Sequence, residues 1–269
     1  MFYKVQTTQK FTPNLRIVNS SSTVDRNPHL DFPFKIKPDV SVYRSDSDFD
    51  VILDSASSEI FIEFKWKPSD DPFCDVCNVQ HSLPSGEDTV KSFLRGTKSA
   101  DDTLGQITAY AAAQLGSQFR THVYSVLIVK NTARILRWDR SGTIVTEAIE
   151  YNESPLLTEF FRCYSTAPPE MRGADQTVSV PTPAEAAAAR EALKLDDTTP
   201  LVKLEIPSID GTSHYFVTST PRATLYTPPG CATHGFQAYN ILYFAGNSGF
   251  LEGFMEGGST GYTGRRPYI

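Results

Sequence analysis

The run from Val123 to Val129 is almost wholly apolar. A strand with one wet face alternates apolar and polar residues, and this one does not, so it reads as a central strand covered on both sides. That calls for layers of helix on sheet. The flanking segments agree. Before it, DTLGQITAYAAAQLGSQF repeats Leu104, Ile107, Ala111 and Leu115 at helical spacing, with Asp101 or Asp102 able to cap the start, which predicts a helix from about Asp102 to Gly116. After it, ARILRWD and GTIVTEAI read as strands, with turns at Asn131 and at Ser141-Gly142.

Upstream, the stretch from Ile36 to Lys65 places Pro38 and Asp39 at the head of one predicted strand and Glu63-Phe64-Lys65 at the end of the next. Residues two apart in a strand share a face, so Glu63 and Lys65 point together while Ile62, Phe64 and Trp66 point the other way. If the strands pair as a hairpin, Asp39 reaches the same polar face. Two carboxylates and an ammonium in that arrangement suit metal-assisted phosphodiester hydrolysis. Asp39 and Glu63 would hold Mg²⁺ or Mn²⁺, and Lys65 would orient the attacking water or steady the phosphate, which makes these three the candidate catalytic residues. The same residues also fit a solvated cross-strand ion pair, and that alternative stays open. Gln106 and Tyr110, four apart near the start of the predicted helix, share one face where the dipole favours phosphate, and are the candidate substrate-binding pair.

The order is strand, strand, helix, strand, hairpin, which is α/β with an antiparallel opening and a helix crossing to a parallel neighbour. Pro-Asp, then Glu-x-Lys after a hairpin, then a helix with Gln-x-x-x-Tyr, resembles the PD-(D/E)XK nuclease superfamily in its RecB-like branch, over roughly residues 30 to 150. A longer resemblance runs from about Ile36 to Tyr239. IEFKWKPSDDPF, GQITAYAAAQLGSQFRTHVYSVLIVKNTARILRWDRSGTIVTEAIEYN and FVTSTPRATLYTPPG are similar to the N-terminal half of basidiomycete fungal-type protein kinases. Residues 1–35, rich in Ser, Thr, Asn and Pro, are expected to be a poorly ordered segment with at most a short strand near Leu15 to Val18. A PD-(D/E)XK nuclease-like mixed central sheet flanked by helices is expected over 36–166. A linker helix and strands that precede or begin a kinase-like lobe follow over 167–240, and a Gly-rich tail over 241–269.

The chain departs from these patterns in three places. No glutamate precedes Glu59, and only Asp25 and Asp31 precede the Pro-Asp strand, so the acid that many nucleases of the superfamily carry on an upstream helix has no counterpart in a helical pattern. Where the kinase family has Gly-Arg-x-Thr-Arg-Gly, this chain has Gly230-Cys231-Ala232-Thr233-His234-Gly235, and beyond Tyr239 the resemblance stops, as in a truncated or decayed copy. Nothing resembles the His-Arg-Asp or Asp-Phe-Gly elements of a kinase, so neither ATP binding nor phosphoryl transfer is expected. The function implied is a binding or regulatory module that keeps a nuclease-like fold. The alternative is a Mg²⁺-dependent nuclease using Asp39, Glu63 and Lys65.

A formal charge of −6 argues against a general nucleic-acid binder. Arg120, Lys130, Arg134, Arg137 and Arg140, against Asp139, offer a candidate basic face, or else the outward residues of edge strands. Partners are therefore a nucleic acid or a protein. Four scattered cysteines point to a reducing compartment, and no apolar run has membrane length, so an intracellular place, cytoplasmic or nuclear, is expected. Cys74, Cys77 and His81 supply three zinc-ligand types, one short of a structural site, and read as a thiol pair in a surface loop. Asp46, Asp48, Asp50 and Asp54 lack the glycine and closing glutamate of a calcium loop. Further on, a helix capped by Ser154 with Leu157, Phe160, Phe161 and Tyr164 on its apolar face is expected, then a helix opened by Thr182 or Pro183, then strands at Pro200 to Ile206 and His214 to Ser219.

Overall fold

The computed structural model describes residues 11–25, 35–46, 53–75, 93–219, 233–241 and 251–256. Their architecture is mixed α/β: two sheets and, among the described residues, three α-helices. The first sheet contains β1 (Leu15–Asn19), β2 (Val40–Arg44), β3 (Ile60–Lys65), β4 (His122–Val129), β5 (Thr132–Asp139) and β6 (Gly142–Val145) in that spatial order, with β7 (Ile149–Glu150) also pairing with β5. Its strands pair antiparallel except β3 and β4, which run parallel from Ile60 opposite Tyr124 to Lys65 opposite Val129. A parallel pair needs a crossover, and helix α1 (Lys98–Ser117) supplies it.

The two faces of β4 explain its composition. Val126 and Ile128 pack with Ile60, Ile62 and, from helix α2 (Leu156–Thr166), Leu157, Phe161 and Tyr164. Val123, Leu127 and Val129 pack on the other side with Ile107, Ala111 and Leu115 of α1. Alternation vanishes because both faces are covered.

Helix α1 begins a turn earlier than expected, because the Thr97 side chain accepts from the Ala100 N–H and so caps it, leaving Asp101 inside the first turn. Helix α2 carries no side-chain cap: Pro155 occupies that place, and Ser154 Oγ meets the Leu156 N–H at 3.4 Å. Helix α3 (Pro183–Leu193) opens on a full capping box, Thr182 and Glu185 each satisfying the other's backbone N–H, with Pro183 following.

Residues 11–25 of the segment expected to be poorly ordered are tied into the sheet. Leu15 and Ile17 are enough to make β1 an edge strand, and Ser20 fixes its end through the Asp39 carbonyl (3.0 Å) and the Pro38 carbonyl (2.8 Å). The second sheet runs β8 (Val178–Ser179), β9 (Val202–Pro207), β10 (Ser213–Thr218), β11 (Thr233–Asn240), β12 (Leu251–Glu256), all antiparallel. Thus part of the stretch expected as a Gly-rich tail forms β12. Helix α3 is joined to β9 by the Lys203–Glu185 ion pair at 2.7 Å.

At the start of β3, Glu59 is buried among Arg172 (2.8 Å), Arg120 (3.1 Å) and the Tyr164 hydroxyl (2.7 Å). This knot gathers β3, the approach to β4, helix α2 and the 3₁₀ turn Pro169–Arg172. Gly173 ends that turn with φ +101°, and its carbonyl accepts from the Thr121 N–H at 2.9 Å.

Candidate functional site

Phe61 on β3 faces Tyr110 of α1, their rings edge to face with centroids 5.8 Å apart. The alternation of the strand therefore carries Glu63 and Lys65 to the same side, while Ile60 and Ile62 enter the core against α2. Asp39, one residue before β2, is placed at the same end of the sheet: its Oδ2 accepts from the Phe64 N–H at 2.9 Å. All five residues singled out in the sequence meet here.

Their hydrogen bonds form a directed chain. Lys65 Nζ donates to Glu63 Oε1 at 2.6 Å and to Gln106 Oε1 at 2.8 Å. Lysine only donates, so Gln106 must present its oxygen to Lys65 and its amide nitrogen to Tyr110, at 2.6 Å. The Tyr110 hydroxyl then gives its own proton to the Lys37 carbonyl at 2.8 Å. The Tyr110 hydroxyl lies near Glu63, but its proton is directed to Lys37, and Glu63 Oε2 is buried without a hydrogen-bond partner. An orphaned carboxylate oxygen is costly in a site of low dielectric.

Burial pushes the Glu63 pKa above the usual carboxylate range, the neighbouring Asp39 charge adds to that, and Lys65 opposes it. The Tyr110 hydroxyl is also raised, by burial first and then by the Glu63 charge. The Glu63–Lys65 pair is not the solvated surface pair that sequence alone allows: the two side chains are 5% and 22% exposed. Gln106 and Tyr110 lie more than two turns beyond Lys98, away from the free N–H groups of the helix start, and are engaged with Lys65 and Lys37.

A divalent cation fits this donor set in part. Asp39 and Glu63 are two hard oxygen ligands side by side, and Glu63 Oε2 has an open valence. Among the described residues no group of three or more His, Cys, Asp or Glu side chains is suited to a metal, so the rest of a cation's shell would come from water or a ligand's oxygens, as is usual for Mg²⁺. The carboxylate of Asp25 accepts from the backbone and hydroxyl of Ser55, at 3.1 Å for the backbone, and does not join the cluster. Cys77, His81, Asp31, Asp48 and Asp50 lie outside the described residues. Cys74 is half-buried, its N–H bonded to the Phe93 carbonyl.

Were a cation to bind here, Glu63 would first have to lose a proton, and because its pKa is raised the affinity would grow as pH rises through and above the ordinary carboxylate range, by up to about tenfold per unit. The folding linkage has the opposite sign. Protonated Glu63 favours the native state below its unfolded pKa, and that contribution is lost as pH rises through the folded one. Melting with and without Mn²⁺ at pH 5 and pH 7.5 checks both: the metal-induced shift should be larger at pH 7.5.

The basic stretch is not a basic face. Arg120 is bound to Glu59, Arg134 to Asp71 (2.9 Å) and Asp75 (2.6 Å), Arg137 to Asp139 (2.6 Å), and Arg140 donates to the Leu115 carbonyl (2.9 Å). Of the five, Lys130 alone is exposed, at the β4–β5 turn. Sequence reasoning missed the Glu59 and Arg134 knots because their partners are remote, Arg172 lying 113 positions from Glu59. Among the described residues, no helix is long and apolar enough to cross a membrane. Comparison with family models, curated proteins and solved structures finds no match.

Proposed function

We propose that this chain is a binding module of PD-(D/E)XK nuclease-like descent from the fungal-type protein kinase family, which takes up a divalent cation at Asp39 and Glu63 and, through it, a phosphate-bearing ligand. The observation that carries this reading is the buried, partnerless Glu63 Oε2 beside the Asp39 carboxylate. A bound cation would neutralise the two carboxylates and polarise a ligand phosphate. Lys65 holds one Glu63 oxygen in place and leaves the other unpaired. Gln106 fixes Lys65, and Tyr110 fixes Gln106, so the site is rigid on its helix side. Two carboxylates in partial competition with an ammonium imply weak, millimolar-scale affinity. Phosphoryl transfer from ATP is not part of this reading, since the catalytic aspartates of a kinase have no counterpart in the chain.

With 10 mM Mn²⁺ and a dissociation constant near 1 mM, mass action predicts about 1.4 kcal/mol of added stability. A melting scan should show the shift in the wild type and lose it in Asp39→Ala. Incubation with single- and double-stranded DNA should show no appreciable hydrolysis, because Lys65 is clamped to its own carboxylate and the described upstream acid, Asp25, is engaged by Ser55. The second reading, a Mg²⁺-dependent nuclease, is favoured by the convergence of Asp39, Glu63 and Lys65 at one end of β2 and β3. Metal-dependent turnover that disappears in Lys65→Ala would replace the first reading with the second. Absence of any metal shift in the wild type would remove both.

A further inference from the structure

Strand β6 is an edge of the first sheet, and among the described residues no strand lies beyond it. Its register fixes which backbone groups are left over. The Thr146 N–H donates to the Ile135 carbonyl at 3.1 Å, and Ile144 lies opposite Arg137, so the even-numbered residues bond to β5. The N–H and C=O groups of Thr143 and Val145 therefore point away from the sheet. The edge is held in this shape from both sides. Val145 packs against the core cluster that contains Leu136 and Trp138, and Asp139 Oδ1 closes the turn by accepting from the N–H groups of Ser141 (2.8 Å) and Gly142 (3.1 Å). Ile144, on the other face, is 66% exposed. Edge strands are usually blunted by a lysine, a proline, a bulge or an inward charge. Ser141 through Thr146 has no charge and no proline, and the register of β6 is unbroken, whereas β1 at the opposite edge carries Arg16.

We infer that β6 is an interaction surface for a second copy of this chain, paired antiparallel about a two-fold axis through Ile144. That axis sets Thr143 against Val145 of the other copy, and each exchanges its outward N–H and C=O with the other. Ile144 then meets Ile144 of the other copy in the non-hydrogen-bonded position, where side chains come closest. Charge selects both the place and the orientation. The formal charge of −6 makes two copies repel, and an uncharged edge is where they repel least. The nearest charged residues along the chain, Arg140 before the strand and Glu147 after it, are opposite in sign. Antiparallel pairing lays each near the other copy's unlike charge, and parallel pairing would lay like beside like. So short a contact buries far less than the roughly 1,600 Å² of a standard interface, and the dimer is weak, forming in the micromolar-to-millimolar range. Strand β3 runs with β4, and β5 and β6 alternate from there, so the axis puts the two Asp39–Glu63 clusters at opposite ends of the doubled sheet. Neither copy completes the other's cluster, and pairing at β6 is independent of any cation.

Sedimentation equilibrium of the whole chain in EDTA, from about 10 µM to about 1 mM, should show the mass rising toward that of two chains. Ile144→Lys and Ile144→Glu each set like charges across the axis and should each weaken association by about tenfold. Their melting temperatures should stay near that of the wild type, because the side chain is exposed. An equimolar mixture of the two variants should recover most of the association. Amide exchange at Thr143 and Val145 should slow as protein concentration rises, while Ile144, whose N–H faces β5, should not change. A one-chain mass throughout, association untouched by Ile144→Lys, no recovery on mixing, or a mass that climbs past two chains would overturn the inference.

Discussion

Replacing Glu59 by alanine is expected to cost about 3–5 kcal/mol of folding stability, measured by urea denaturation at pH 7. The carboxylate is buried between two guanidiniums, those of Arg172 and Arg120, whose side chains are 9% and 11% exposed. Its removal leaves two like charges facing each other out of water, and takes from the Tyr164 hydroxyl its closest acceptor. The network already lacks one bond, since Arg172 Nε is buried without a partner, so it has no spare acceptor to re-form around. Glu59→Gln keeps the shape and an acceptor oxygen but not the charge, and should fall between wild type and alanine. An alanine variant within about 1 kcal/mol of wild type would mean that the guanidiniums escape to solvent.

A second large effect is expected at Gly173, where alanine should cost at least about 3 kcal/mol. The backbone has φ +101°, which strains any side-chain-bearing residue, and a Cβ there would lie 1.9 Å from the His122 carbonyl oxygen. That oxygen is main chain at the start of β4, so relief requires the 3₁₀ turn to withdraw and release the Thr121–Gly173 bond. Gly105 is the control. It lies within α1 with nothing within 4 Å of an added Cβ, so Gly105→Ala should stabilise by about 0.5–1 kcal/mol. Opposite signs for the same chemical change, read in parallel melts, test whether Gly173 is held by its surroundings.

Local patterns in the sequence led to most of the first sheet. The unbroken apolar run of β4, the turns at Asn131 and Ser141-Gly142, and the Leu104–Ile107–Ala111–Leu115 spacing each depend on neighbours along the chain. The convergence of Asp39, Glu63 and Lys65 followed from strand alternation plus one hairpin, whereas the spacing of Gln106 and Tyr110 put them on one helix face without saying which side chains they meet. What the residues do to one another was not legible: that Lys65 is held by both Glu63 and Gln106, or that Tyr110 turns its proton to Lys37, depends on distances of tenths of an ångström. The basic stretch misled because charge counted along a strand says nothing of acids arriving from elsewhere, such as Asp71 on Arg134. Likewise Leu15 and Ile17 lie in a polar segment whose composition suggests disorder, and only the vacant edge of β2 shows why they are ordered.

The parallel pairing of β3 with β4 has a consequence for how the chain reaches this state. Strands β4, β5 and β6 are joined by tight turns and can pair early, since each closure is short. Joining β3 to β4 requires everything from Lys65 to His122 to be gathered first, and this is the contact that brings Glu63 beneath α1. Among the strand pairings of this sheet, the ladder on which the site depends therefore closes the longest stretch of chain, which makes it a late, slow step. Interruptions of synthesis or mild denaturant should disperse Asp39, Glu63 and Lys65 while the β4–β6 meander still resists hydrogen exchange, so this cluster would be the first part of the sheet lost and the last regained.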